Sequence, residues 1–210
     1  MLSREKTSIK EAILDGCERA LARHGYRRMT MDDVAEAAGL ARRTVYLHFP
    51  GKEMLVSATM DKVVANTQRA MREPLENGTG LESLRGMLMA RILVRLRQVG
   101  PFHESFEEIW NALYKHSTED YVSYFEPEVE LLVTALGKGI EDGSIALGAD
   151  PRTVAEILVR ATNGFMPSNF SRAEVASAEP VRKTLETFVD MICRGVASKQ
   201  PAGIGDRRRS

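Results

Sequence analysis

Hydrophobic positions in the first fifty residues recur every three or four residues, which is the period of an amphipathic α-helix. The first stripe stops near Gly25 and contains Ile9, Ile13, Cys17, Ala20 and Leu21. A second helix is predicted from Thr30, a suitable N-cap, to Gly39, where glycine can take a positive φ and turn the chain sharply. A third, short helix is predicted from about 41 to 49, and Pro50 and the glycine after it end that helix.

The helical period continues along the rest of the chain, without an internal repeat or a convincing strand. Further helical segments are predicted at about 52–73, 81–99, 102–116, 118–125, 127–141, 151–166 and 179–197. Residues 167–179 are predicted as a loop, and the glycine-rich, basic residues 199–210 as a disordered tail. The pattern predicts an all-α fold, with an N-terminal helix-turn-helix domain over 1–51 and a larger helical domain over 52–198.

The two faces of the third predicted helix carry different chemistry. Val45 and Phe49 are four residues apart and face the same way, so we expect them to pack against the first two helices. Arg43 and Leu47 share the opposite face. A short helix after a glycine turn fits a helix-turn-helix, whose second helix enters the major groove of DNA. The alternative is an ordinary solvated helix face.

Side chains around this helix have the chemistry that DNA contacts require. Arginine can bind O6 and N7 of guanine, which suits Arg43, while Leu47 and the Thr44 methyl group can meet the methyl group of thymine. Phosphate contacts would fix the docking. The candidates for those contacts are Tyr46, His48, Lys52 and, at the N-terminus of the second helix, Thr30.

Charge is distributed unevenly along a chain whose formal net charge is +0. Residues 1–55 hold 10 Lys and Arg against 8 Asp and Glu, whereas residues 56–198 hold 15 against 20. The last twelve residues hold 4 against 1. A slightly basic N-terminal segment followed by an acidic segment indicates one module that faces nucleic acid, joined to a second module of different function.

Residues 30–56 resemble the helix-turn-helix of the TetR (tetracycline-repressor) family of bacterial regulators, and they read TMDDVAEAAGLARRTVYLHFPGKEMLV. The resemblance covers roughly residues 8–56, and its most specific part is the run from Thr44 to Phe49 followed by Lys52. It implies an all-α homodimer whose N-terminal domain binds a pseudo-palindromic operator and whose C-terminal domain dimerises and holds a small-molecule inducer. By analogy, the base-contacting positions are Arg42, Arg43, Thr44 and Leu47, and the backbone-contacting positions are Thr30, Tyr46, His48 and Lys52.

Two predicted helices near the C-terminus carry apolar stripes that face either a core or a second copy of the chain. The stripe over 150–166 is Val154, Ile157, Leu158, Ala161 and Phe165, and the stripe over 179–197 is Val181, Leu185, Phe188, Ile192 and Val196. Pairing across a twofold axis would make a four-helix bundle. It would also bring two recognition helices to the spacing of about one turn of DNA, roughly 34–36 Å, so we expect a homodimer.

Aromatic and methionine side chains in the body are candidates for an effector pocket, although such residues are also ordinary core. The candidates are Met89, Phe106, Trp110, Tyr114 and Phe165, and they favour a small apolar or amphipathic effector. Arg91 and Arg95 lie close to the apolar face of their helix. We expect both to extend along their aliphatic stems to solvent, whereas an inward orientation would indicate an anionic ligand.

A catalytic function has one weak signal in the sequence. His103 and Glu107 are four residues apart, the spacing of helical zinc sites in which two histidines flank a general base, but glutamate replaces the second histidine. The default interpretation is a charged helix face. No Gly-rich phosphate loop, nucleophile elbow or cysteine cluster is present in the sequence, so we expect no enzyme activity, no cofactor and no metal.

The sequence therefore favours a sequence-specific transcriptional repressor that an effector releases from its operator. A metal-dependent helical enzyme and a non-specific nucleoid-type DNA-binding protein are the alternatives. No apolar run approaches the roughly 20 residues of a membrane span, and no signal peptide is recognisable. We expect a cytoplasmic protein with Cys17 and Cys193 as buried thiols.

Overall fold

The chain is all-α in the computed structural model, which describes residues 2–114, 118–177 and 179–198. The α-helices in these ranges are α1 (Leu2–Arg28), α2 (Met31–Ala38), α3 (Arg42–His48), α4 (Lys52–Asn77), α5 (Gly80–Val99), α6 (Phe106–Tyr114), α7 (Thr118–Glu141), α8 (Pro151–Thr162), α9 (Arg172–Ser177) and α10 (Glu179–Val196). Short 3-10 segments cover Gly100–Ser105, Asn163–Phe165 and Pro167–Asn169. The predicted fold class is confirmed, since β pairing within the described ranges is limited to one isolated bridge between Ile145 and Ala197.

The predicted helix-turn-helix is formed by α2 and α3, with α1 packed across it. Thr30 caps α2 in a capping box: the Thr30 side chain accepts a hydrogen bond from the Asp33 N–H, and the Asp33 carboxylate accepts one from the Thr30 N–H. Gly39 ends α2 at a φ of 66°, which turns the chain into α3. Gly16 allows α1 to approach α2, because a Cβ there would lie 2.8 Å from Ala38 Cβ.

Buried side chains form two clusters. The first gathers side chains from α1, α2, α3 and the first half of α4, and it also takes Val99, Phe102 and Ile109 from the body. The second joins α5, α7, α8 and α10, with Met71 from the second half of α4. Packing therefore runs from the helix-turn-helix directly into the helical body.

The orientation predicted for Arg91 and Arg95 is wrong, because neither side chain extends to solvent. Arg91 Nε donates to Glu128 Oε2 at 2.7 Å, and Arg95 Nη2 donates to Glu128 Oε1. Glu128 lies on α7, and it is fully buried with the two arginines. A shared carboxylate offsets much of the cost of removing guanidinium groups from water, so the side chains need not extend outward.

Several predicted boundaries differ from the structure. One continuous helix, α7, replaces the segments predicted on either side of Pro127. The predicted loop over 167–179 contains α9, which begins with reciprocal hydrogen bonds between Ser171 and Glu174. The helix predicted from 102 opens as a 3-10 turn, and α8 ends at Thr162. The predicted tail, 199–210, lies outside the described residues.

Candidate nucleic-acid interface

The third helix, α3, is two-sided in the way its sequence predicts. Val45 is fully buried and Phe49, just after the helix, is also buried, so both anchor α3 against α1 and α2. Leu47 is 76% exposed, and Arg43 is exposed on the same side of the helix. This side of α3 therefore presents one apolar and one cationic side chain to solvent. Thr44, predicted to contact bases, is half-buried beside them.

The two neighbouring arginines of α3 have different surroundings. Arg42 Nη1 donates to Asp32 Oδ2 at 2.9 Å, and the Arg42 guanidinium lies 5.3 Å from the centre of the Tyr46 ring. These contacts hold Arg42 along the N-terminus of α2. Arg43 has no carboxylate within 4.0 Å in the described part of the chain, so its charge is available to a partner.

The residues predicted to contact phosphates also have structural roles. The Thr30 hydroxyl donates to Asp33 Oδ2 at 2.7 Å, and this bond together with the Thr30 N–H lowers the pKa of Asp33. Lys52 Nζ donates to the Arg27 carbonyl at 3.3 Å and lies 4.5 Å from the centre of the Tyr26 ring. The first bond lies within the start of α2, and the contacts of Lys52 tie the start of α4 to the end of α1.

Tyr46 and His48 complete the set predicted to contact DNA. Tyr46 is exposed beside Arg42, and His48 is half-buried at the end of α3. The eight side chains therefore lie on α3 or at the starts of α2 and α4, and their individual contacts with DNA stay predictions.

Cavities of two sizes are found among the residues that the structure describes, and both lie away from α3. One, of about 410 Å³, is lined by Phe106 and Trp110 from the predicted effector set and also by Phe125, Asn163 and Met166. The other, of about 680 Å³, lies between the end of α1 and the body. The second cavity has no counterpart among the sequence predictions.

The remaining predicted effector residues do not line the 410 Å³ cavity in the described structure. Met89 is half-buried against the second core cluster, and the Phe165 ring packs 5.0 Å from the Phe188 ring. The Tyr114 side chain lies outside the described residues. The aromatic wall of the cavity is continuous, since Trp110 stacks on Phe125 at 6.1 Å.

The proposed metal pair lies apart from any ligand cluster. His103 is buried, and its Nδ1 lies 2.8 Å from the Gly100 carbonyl oxygen, while Glu107 is exposed. Among the described residues, no three His, Cys, Asp or Glu side chains are grouped closely enough to hold a metal ion. No described helix has both the length and the apolar character of a membrane span.

The two helices predicted to dimerise leave apolar side chains on the surface. Ile157 on α8 is 57% exposed and Met191 on α10 is 66% exposed. The stripe residues Leu158 and Leu185, in contrast, are buried in the body's own core. Part of each predicted stripe therefore faces inward, and a neighbouring face is open.

Similarity to one known family is found in the N-terminal region. A model of the family described as bacterial regulatory proteins, tetR family, matches residues 13–59. The chain is 38% identical over 66 residues to the HTH-type transcriptional regulator TtgR of Pseudomonas putida. That match covers 30% of this chain and 31% of TtgR, so it spans less than a third of the relative's length.

Two further similarities extend beyond that region. The chain is 26% identical over 149 residues to the HTH-type transcriptional repressor KstR2 of Rhodococcus jostii, covering 69% of this chain and 72% of KstR2. A solved TetR-family transcriptional regulator from Pectobacterium atrosepticum matches with a TM-score of 0.70 at 18% identity, covering 94% of this chain and 98% of that one. The likeness to this solved chain shows the fold.

Proposed function

Because the chain belongs to the TetR family of bacterial regulatory proteins, we propose that it is a sequence-specific transcriptional repressor that a small-molecule effector releases from its operator. The single observation that carries the proposal is the two-sided α3. Its outer side presents Arg43 and Leu47, while Val45 holds the helix from behind. A buried anchor fixes the helix, so the exposed pair can enter a major groove as a rigid unit.

Recognition in this proposal divides between base and backbone contacts. Arg43 reads guanine through two hydrogen bonds, and Leu47 with the Thr44 methyl group meets thymine. Arg42, which lies beside the turn, reaches bases by releasing Asp32. Phosphate contacts set the register. They come from Thr30, Tyr46, His48 and Lys52.

Two copies of the chain are needed for useful affinity, because one seven-residue helix offers few contacts. The exposed Ile157 and Met191 lie on α8 and α10, where a twofold axis would bury both against their copies. The homodimer then presents two α3 helices to a pseudo-palindromic operator.

The effector site of this proposal is the 410 Å³ cavity, which suits a small apolar or amphipathic molecule. An effector releases DNA only if it binds the conformation with mismatched α3 spacing more tightly than the DNA-binding one. Moving the equilibrium from 99:1 to 1:99 requires about 5.5 kcal/mol of that difference.

Selection of bound duplexes from a random-sequence DNA pool tests the proposal. The wild-type chain should enrich one two-part motif, and Arg43→Ala should relax the preference at one base position, a loss of about 1–3 kcal/mol in discrimination. Arg72→Ala, which removes an exposed arginine from α4, is the matched control and should preserve the motif.

Other outcomes separate the alternatives. Steep loss of affinity with salt but no enriched motif would indicate a nucleoid-type protein. Stoichiometric metal in the purified chain that disappears in His103→Ala would indicate the metal-dependent enzyme. Either result would contradict the repressor assignment.

A further inference from the structure

The 680 Å³ cavity has walls from both halves of the molecule. One wall is the end of α1, from Leu21 to Gly25, and the opposite wall includes Leu93, Leu96 and Arg97 of α5. The 3-10 segment Gly100–Ser105 closes one side. A molecule seated here touches the helix-turn-helix unit and the body at the same time.

Apolar groups make the base of this cavity. Leu93 and Leu96 are half-buried, Phe102 and Val181 are buried, and Val175 of α9 lies among the lining residues. The volume falls in the range of small-molecule sites, and an aliphatic chain in contact with these groups would remove apolar surface from water. The base of the cavity therefore favours a hydrocarbon portion of a ligand.

Basic groups outnumber acidic ones around the same cavity. Arg23, Arg28, Arg97 and Arg182 line it, together with His24. The acidic lining residues are Glu104 and Glu174, and the Glu174 carboxylate already accepts hydrogen bonds from the Ser171 hydroxyl and N–H. The electrostatic balance of the rim thus favours an anion.

Two of these arginines, Arg23 and Arg97, have no carboxylate within 4.0 Å in the described ranges, although they come from opposite walls. Arg28 and Arg182, in contrast, bond to the His24 carbonyl oxygen and to Glu186. A guanidinium group binds a carboxylate well because its parallel N–H groups match the two oxygens. An anion between the walls would give both guanidinium groups a carboxylate partner.

The cavity also adjoins the joint between the two halves. Gly25 interrupts α1 at a φ of 70°, and the next residue, Tyr26, donates its N–H to Ser105 Oγ at 2.9 Å. Gly25 and Ser105 both line the cavity. A bound molecule is therefore in contact with the backbone that sets the direction of α1 relative to the body.

We infer that this cavity is a second ligand site, which binds an amphipathic organic anion with an aliphatic chain on the leucine base and a carboxylate between Arg23 and Arg97. It is separate from the 410 Å³ cavity, since the two share no lining residue. Binding of the anion does not depend on DNA. Its effect on the direction of α1, and through α1 on DNA binding, rests on the proposed repressor function.

Calorimetric titration of the full chain with octanoate, and with 1-octanol as the neutral probe of equal length, tests the site. Wild type should bind octanoate more tightly than 1-octanol, and Arg97→Gln should weaken octanoate binding about tenfold, the effect of losing one charge-assisted contact. Arg72→Gln is the matched control, because it removes an exposed arginine that lies outside the cavity, and it should bind like wild type.

Two tryptophan substitutions, each of which fills one of the two cavities, locate the ligand without changing a buried residue. Ala22 and Ser168 are both exposed, and each lines one of the two cavities. Ala22→Trp should abolish octanoate binding and Ser168→Trp should leave it intact. The inference is overturned if the reverse is found, if 1-octanol binds as tightly as octanoate, or if the wild-type chain binds no octanoate at millimolar concentration. Failure to enrich an operator leaves these binding results unaffected, so the two proposals fail separately.

Discussion

Arg91 Nε donates to Glu128 Oε2 at 2.7 Å, and both side chains are completely buried. The Arg95 guanidinium occupies the other carboxylate oxygen, so one carboxylate on α7 serves two cations on α5. Thr162 Oγ1 accepts a further bond from Arg91 at 2.6 Å. This network ties α5, α7 and α8 together inside the body.

Replacing the shared carboxylate should therefore be strongly destabilising. Glu128→Gln leaves two buried guanidinium groups without their anion, and we expect a loss of about 3–5 kcal/mol in the free energy of unfolding, measured by urea denaturation. Glu126→Gln, two residues earlier, breaks only a solvent-exposed pair with Arg152 and should retain nearly all of the stability. Equal losses in the two variants would contradict the assigned role of Glu128.

Gly16 should tolerate no side chain. A Cβ at this position meets the Cβ and backbone nitrogen of Ala38 at 2.8 and 3.0 Å, so Gly16→Val must push α1 away from α2. We expect a loss of about 1–3 kcal/mol in thermal or urea unfolding. Gly137→Ala on α7 is the control, because a Cβ there meets no atom within 4 Å and alanine favours helix.

The dimer face can be tested by placing charge on it. Ile157→Glu puts a carboxylate where the proposed twofold interface is apolar, and sedimentation should then show a shift from dimer to monomer at micromolar concentration. Arg160→Glu, an exposed change three residues away that removes no apolar area, should have the smaller effect. A wild-type chain that sediments as a monomer would overturn the interface.

Acid should weaken the fold through hydrogen-bonded carboxylates. Asp142 accepts hydrogen bonds from Ser144 and from the Gly80 N–H, which lower its pKa below the ordinary value of 3.8, and Thr30 does the same for Asp33. Because the folded-state pKa is the lower one, this stabilisation is complete above the unfolded value. It is lost as pH falls through the folded value.

Urea midpoints between pH 5 and pH 2 measure this dependence. Asp142→Asn removes one titrating group and should flatten the decline in stability with acid. An unchanged decline in this variant would show that Asp142 does not contribute to it.

The buried thiols should be unreactive in the native state. Burial raises the pKa of Cys17 to about 12, and burial also raises the pKa of Cys193. Since the thiolate is the nucleophile, a disulfide reagent at pH 8 should modify neither thiol until denaturant unfolds the chain. Rapid modification of one thiol per native chain would contradict the burial of that cysteine.

Local patterns in the sequence were sufficient to predict the helix-turn-helix. The inward positions of Val45 and Phe49 follow from their spacing, and the turn at Gly39 follows from the conformation that glycine permits. The capping box at Thr30 is also readable locally, because donor and acceptor are three residues apart. Ser171 and Glu174 have the same three-residue spacing of a capping box and mark the start of α9, although a loop was predicted there.

Features that depend on residues distant in sequence could not be predicted from local patterns. Arg91 and Arg95 were expected to extend to solvent, because their partner Glu128 lies on another helix, 37 and 33 residues along the chain. Pro127 suggested a break, but α7 continues through it. The 680 Å³ cavity joins α1 to α5, α9 and α10, and no periodicity within one helix can indicate such a meeting.

The position of α4 in both clusters has a mechanical consequence. At 26 residues it is a rod of about 39 Å, with Leu55 and Val56 fixed at one end and Met71 at the other. A tilt of about 5° pivoting on Met71 would carry Lys52, about 28 Å away along the helix, through roughly 2.5 Å. Motions far smaller than a domain opening, originating deep in the body, are thereby magnified at Lys52.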